Sequence, residues 1–234
     1  MEKLAVVSGG SRGIGKAIVR KLAENGFDVA VCGRVADTLS ALKFEINEDF
    51  GTNIYEFVAD VSQKSEIKAF GEFVLNLDSP PTILVNNAGV FMPGKILEEP
   101  DENLENMLST NLMSAYYLSK ALVPAMKNLP IAHVFNISSI AGIEAYPSSG
   151  SYSISKFAMM GLGKSLREEL KTSHVRVTSI LPGATLTDSW AGVDLPESRF
   201  MSGKDIAEAL WAAFSLSPNA TMEEIILRPQ PGDI

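Results

Sequence analysis

The stretch Leu4-Ala5-Val6-Val7-Ser8-Gly9-Gly10-Ser11-Arg12-Gly13-Ile14-Gly15 decides the reading of this chain. An apolar run of strand character passes directly into a glycine-rich turn, and a helical pattern over 14–25 follows, closed by Asn25-Gly26. That order has a physical use. Glycines let the backbone approach a ligand closely, and a helix N-terminus offers unpaired N–H groups with positive dipole potential, so the turn suits a pyrophosphate. The spacing Gly9-x-x-x-Gly13-x-Gly15 departs from G-x-G-x-x-G, and glycine also serves plain tight turns. Both readings stay open on the turn alone.

Outward from the turn, short β-rich runs alternate with amphipathic stretches, the pattern of βαβ units around a parallel sheet. Strands are expected over 4–7, 28–32, 54–58, 82–85, 133–137, 175–180 and 224–227, and helices over 14–25, 37–49, 63–76, 102–128, 152–172 and 204–215. Most strands are continuous apolar runs such as Ile83-Leu84-Val85, as expected where helices cover both faces of a sheet. The expected architecture is α/β: a doubly wound Rossmann fold with a seven-stranded parallel sheet, all within one domain over 1–234. The long loop 183–203 would lie at the carboxyl edge of the sheet, where ligands bind in such folds.

Composition narrows the function. The 234 residues are 46% hydrophobic and 21% charged, which excludes disordered and collagenous classes, and the net charge of −8 disfavours nucleic acid and anionic lipid as partners. Cys32 is the one cysteine, and it cannot form an intrachain disulfide or, with the separated His133 and His174, a metal site. No apolar run reaches membrane-spanning length, and the N-terminus lacks the organisation of a signal peptide, so no membrane role and a cytoplasmic setting are expected.

Two arginines sharpen the glycine turn. The second strand ends Val31-Cys32-Gly33-Arg34 without an acid at its tip, where an acid would grip a ribose 2′-hydroxyl and an arginine would accommodate a 2′-phosphate. With Arg12 inside the turn, two guanidiniums are placed to converge on one phosphate, which favours NADP over NAD; the plainer reading is two solvated cations.

Tyr152-Ser153-Ile154-Ser155-Lys156 places a phenol and an ammonium one helical turn apart, and the ammonium favours phenolate. Such a phenol exchanges a proton with a carbonyl or alcohol oxygen. Tyr116 and Lys120 share the spacing, so spacing alone does not choose between the pairs. Context does: Ser139 closes the fifth strand thirteen positions before Tyr152, where its hydroxyl would face the ligand crevice.

Taken in order, these motifs resemble the short-chain dehydrogenase/reductase family, in its compact single-domain branch, over nearly the whole chain. Gly9, Ser11, Arg12, Gly13, Ile14 and Gly15 are similar to its cofactor turn, preceded by Ser8 where threonine is commoner. Asp60-Val61 resembles the adenine-pocket motif, Asn87, Ala88 and Gly89 with Asn86 the motif after the fourth strand, and Pro182, Gly183 and Thr187 the nicotinamide-side segment. Asn111, Ser139, Tyr152 and Lys156 match the catalytic set.

The resemblance implies NADP(H)-dependent hydride transfer between nicotinamide and a carbonyl or secondary alcohol. Tyr152 would be the proton donor, Lys156 would lower its pKa and hold the nicotinamide ribose, Ser139 would bind the substrate oxygen and Asn111 would anchor a water. Phe91, Ile143, Tyr146 and Trp190, with Met92, Pro147 and Met201, are the candidate substrate contacts. Their apolar character suits a neutral or acyl-type carbonyl compound, and the resemblance implies a ketone or 3-oxoacyl substrate. The resemblance also implies a homodimer or homotetramer, with the proline-rich end from Arg228 reaching across to a neighbouring subunit. The rival reading on the same fold is an NADP-sensing regulatory or interaction protein with little catalytic turnover.

Overall fold

A computed structural model describes residues 3–190 and 192–233. Seven strands, β1 (Leu4–Ser8), β2 (Asp28–Gly33), β3 (Ile54–Val58), β4 (Ile83–Asn86), β5 (Ala132–Ile137), β6 (Val175–Pro182) and β7 (Glu224–Leu227), form one sheet in the order β3-β2-β1-β4-β5-β6-β7. Every pairing is parallel, from Val29 against Ile54 at one side to Pro182 against Leu227 at the other.

Alternation along each strand feeds two cores. Ala5, Val7, Val29 and Val31 point to one face, where they pack with α1 (Gly13–Glu24), α2 (Ala36–Phe50) and α7 (Gly203–Phe214). Leu4, Val6, Ala30 and Cys32 point to the other, against α3 (Lys64–Leu75), α5 (Ser114–Met126) and the end of α6 (Gly150–Leu170). Both faces are dry, which is why these strands read as unbroken apolar runs. Gly26 and Gly51 follow α1 and α2 with φ of 77° and 68°, a conformation glycine adopts without the penalty of a side chain. Ser202 and Asp205 form a reciprocal cap at the start of α7.

One element differs from expectation. The stretch 102–128 is not a continuous α-helix: α4 (Glu102–Leu108) passes through a π-helical turn, Ser109–Met113, into α5. The wider turn carries Asn111, which is buried at 1% exposure. Residues 228–233 pass beside Gly183, whose missing side chain leaves room for them; an added Cβ there would stand 3.1 Å from Pro229 and 3.2 Å from Asp233.

Candidate active site

Because all strands run the same way, the residues that close them gather at one edge. The loops that follow line a cleft with two adjoining lobes, one of about 570 Å³ and one of about 380 Å³. Gly9, Ser11, Arg12, Gly13, Ile14, Gly15, Arg34, Asp60, Val61, Asn87, Ala88 and Gly89 all line the larger lobe, together with Lys156. Pro182 and Gly183 line the smaller one. Ile14, Phe91, Tyr152 and Thr187 form walls of both.

The larger lobe has the form a dinucleotide needs. Gly9 and Gly13 hold φ of 66° and 53°, and a Cβ on Gly15 would stand 2.2 Å from the Gly9 carbonyl oxygen, so close backbone packing leaves no room for side chains in the turn. The Ser8 hydroxyl accepts from the backbone N–H groups of Asn87 and Ala88, both at 3.1 Å. Asn87 Nδ2 donates back to the carbonyls of Ser8 and Gly9 at 3.0 and 2.9 Å. The ends of β1 and β4 are thereby sewn together beneath the lobe. Asp60 accepts from the Ser62 backbone and hydroxyl at 3.0 and 2.8 Å, which orders the adjacent rim. Arg34 is exposed on that rim, whereas Arg12 reaches across the lobe to Asp188 at 3.1 Å. The two arginines therefore do not stand as an equal pair: Arg12 already has an anionic partner.

Around the junction of the lobes stand Ser139, Tyr152 and Lys156, with Asn111 buried behind the lining. Ser139 follows β5, and its Oγ accepts the Ala141 N–H at 3.1 Å, which fixes the hydroxyl at the start of a short 3₁₀ turn, Ile140–Gly142. Tyr152 stands in the first turn of α6, with the Phe91 ring edge-on at 4.9 Å. Burial pushes the phenol above its ordinary pKa, and the Ser139 hydroxyl bound to it acts in the opposite direction. The expected lowering by Lys156 does not prevail. Lys156 Nζ lies 5.7 Å from the centre of the tyrosine ring and donates to the Ile137 carbonyl at 3.1 Å. Its own burial brings the ammonium down to about 8.

Asn111 is engaged on both ends of its amide. Its Oδ1 accepts the Val90 N–H at 2.7 Å, and its Nδ2 donates to the Val90 carbonyl at 3.0 Å and to Ser155 Oγ at 2.9 Å. Ser155 in turn donates to the Tyr152 carbonyl at 2.7 Å. The π turn thus connects the loop after β4 to the helix bearing Tyr152 and Lys156. A second tie was not foreseen: Glu99 accepts the Ser151 N–H at 3.2 Å and also its hydroxyl, capping the start of α6. Nothing local in the sequence marks that contact, which spans 52 positions.

Tyr116 has no such setting. Its ring is exposed, packs on Tyr117 and lies under Lys120, outside both lobes. Of the candidate substrate contacts, Phe91, Tyr146, Pro147 and Trp190 line the smaller lobe. Ile143 does not; it follows the 3₁₀ turn and is 40% exposed. Met92 lines the larger lobe, and Met201 packs on the core. Sequence reasoning missed Ser149, Thr185 and Asp233, which also line the smaller lobe. Among the described residues, no cluster of His, Cys, Asp and Glu fits a metal ion, and no helix is long and apolar enough to cross a membrane.

A family model described as short chain dehydrogenase matches residues 3–197. An uncharacterized oxidoreductase of Staphylococcus saprophyticus is 33% identical, the match covering 97% of each chain. Among solved structures, an alcohol dehydrogenase from the archaeon Thermococcus sibiricus, complexed with 5-hydroxy-NADP, superposes with a TM-score of 0.92 at 27% identity, covering 98% of this chain and 97% of that one. L-sorbose reductase from Gluconobacter frateurii, complexed with NADPH and L-sorbose, superposes with a TM-score of 0.90 at 26% identity, over 97% of this chain and 95% of that one.

Proposed function

The chain belongs to the short-chain dehydrogenase family and is an oxidoreductase, and from that premise we propose that it reduces a neutral carbonyl compound, a ketone or a 3-oxoacyl ester, with NADPH. The observation that carries this reading is the position of Tyr152 on the wall common to both lobes, with Ser139 beside it in the smaller one. A proton donor there reaches a substrate in the apolar lobe while bordering a nucleotide in the glycine-lined lobe. The glycine turn fits the dinucleotide, and the solved relatives complexed with NADPH and 5-hydroxy-NADP support the choice of cofactor.

When bound, NADPH supplies a hydride to the carbonyl carbon. Tyr152 gives its proton to the carbonyl oxygen; its raised pKa keeps that proton in place at neutral pH. Ser139 donates a hydrogen bond to the same oxygen, where negative charge develops, so the two hydroxyls act most strongly in the transition state. Lys156, charged below about pH 8, holds the nicotinamide ribose hydroxyls and favours the phenolate left after proton transfer. Asn111 keeps the loop bearing Phe91 in register with α6. The apolar lining of Ile14, Phe91, Pro147 and Trp190 excludes water and suits an uncharged substrate.

NADPH absorbance followed against a panel of ketones, aldehydes and 3-oxoacyl esters tests the proposal. Turnover is expected with at least one compound, and Tyr152→Phe should lower it by roughly 10² or more, the usual contribution of a positioned proton donor, while leaving nucleotide binding intact. No turnover across the panel, or a Tyr152→Phe protein as active as the parent, would overturn the reading.

A further inference from the structure

The smaller lobe is mostly apolar, yet one wall carries a charge. Asp233 is the only charged residue lining it among the described residues, and it comes from the C-terminal segment beyond the 3–197 region matched to the family. Its arrangement is specific. Arg228 binds one carboxylate oxygen, Oδ2, and also donates to Glu144 at 3.2 Å and to the Tyr146 hydroxyl at 3.4 Å. Arg199 donates to the Asp233 backbone carbonyl at 3.3 Å. The other carboxylate oxygen, Oδ1, is buried without a hydrogen-bond partner. Leaving such an acceptor unmatched costs about 1–3 kcal/mol, so the fold holds an acceptor beside the lobe at some expense of stability.

We propose that Asp233 selects the substrate, a small rotation of its carboxylate bringing the buried, unpartnered Oδ1 to the lobe, where it accepts a hydrogen bond from a hydroxyl or amide N–H at the end of the molecule remote from the reacting carbonyl. The inference rests on reading the smaller lobe as the substrate lobe. A neutral donor fits better than a cation, because Arg228 already balances the carboxylate charge. Tyr146, itself a wall of the lobe, is held by the same guanidinium, so the recognition wall is braced as a unit. The missing side chain at Gly183 is what lets Oδ1 stand there, since an added Cβ would meet it at 3.2 Å. A site built to satisfy a substrate hydroxyl rejects the analogue lacking it, because the protein acceptor is then left unpaired.

The test uses ω-hydroxy-2-alkanones of graded chain length and their methyl ethers, titrated calorimetrically into the protein loaded with NADP⁺, so that binding is read without turnover. At the chain length that spans the lobe, methylation should weaken binding by about tenfold or more. Asp233→Asn should remove or reverse that preference: Arg228 accepts nothing, so the amide oxygen turns to it and the NH₂ replaces the acceptor with a donor. Equal binding of each pair to the parent protein at every length would overturn the proposal, and this comparison stands even if the variant fails to fold. An Asp233→Asn protein that weakens both members equally would also overturn it. Hydride transfer from NADPH is measured separately. A binding preference without transfer topples the reaction proposed above and leaves the selecting role standing, whereas transfer without any preference does the reverse.

Discussion

Lys156 pays for its position in the cleft with burial: at 5% exposure its ammonium has one carbonyl partner, from Ile137, and its pKa falls from 10.5 to about 8. That shift is also a statement about stability. Between about pH 8 and 10.5 the unfolded chain holds a proton on this lysine that the folded chain has released, so the lysine's contribution to unfolding free energy rises with pH across that window. Below it the folded state carries a poorly solvated charge and is penalised. Lys156→Met removes the penalty. In the cofactor-free protein the variant should therefore be more stable than the parent at pH 7, and the parent should recover on the order of 2 kcal/mol of the difference by pH 9.5. Tyr152 and the buried Cys32 thiol titrate upward in both proteins and cancel in the comparison. Urea midpoints at the two pH values measure it; a gap that does not change with pH would refute the assignment of a buried, strained ammonium. The identity of these residues was readable in the sequence, but their protonation was not. The Tyr152–Lys156 spacing predicts a lowered phenol, whereas the folded phenol is raised because desolvation outweighs a lysine that is bonded to a strand carbonyl.

At the scale of elements, the departure over 102–128 and the geometry of the site have one cause. A π turn inserts one residue into a helix, and it is commonly found at functional sites. Here it brings Asn111 to Val90 on one side and Ser155 on the other, so that α4, α5, the loop after β4 and α6 meet at a single amide. A one-residue insertion slips a 3.6-residue pattern by about 100°, but the 7 residues of α4 and 13 of α5 are too short on either side for periodicity to place the slip. Asn111 itself was recognisable as a candidate, but the turn that aims it was not. Asn111→Ala deletes three hydrogen bonds and leaves the Val90 N–H and carbonyl without these partners. The expected result is a loss of about 1–3 kcal/mol in stability and a fall in kcat of roughly tenfold or more, with the KM for NADPH little changed, because Asn111 does not line the nucleotide lobe. Chemical denaturation and steady-state kinetics read the two effects. A variant that loses stability but keeps its kcat would reduce Asn111 to a packing residue.

For the whole molecule, a parallel sheet collects chain ends that are far apart in sequence onto one rim, and this explains which parts of the cleft were legible. The glycine turn, Arg34, Asp60 and Asn87 follow directly from strand ends, and strand ends were visible as the points where apolar runs stop. Asp233 follows no such rule: it reaches the rim by the return of a segment without regular structure, and only the packing against Gly183 explains its place. Ile143 shows the opposite failure, an apolar residue between Ser139 and Tyr152 that faces solvent. The proposed cofactor preference also belongs to this scale, because the residues it rests on come from the turn after β1, the end of β2 and the 183–203 loop. Arg12 is shared with Asp188, an ion pair exposed at 58% and 76% on its two side chains and thus worth about 0–1 kcal/mol. Asp188→Asn should accordingly improve the KM for NADPH only a few-fold. On the proposed reading Arg34 would be the main discriminator: a charge-assisted bond to a 2′-phosphate contributes about 1.5–3 kcal/mol, and an acid in its place would bind a ribose 2′-hydroxyl and repel the phosphate. Arg34→Asp should therefore lower kcat/KM with NADPH by about tenfold or more while that with NADH holds or rises, and an unchanged ratio would return Arg34 to the class of solvated surface cations.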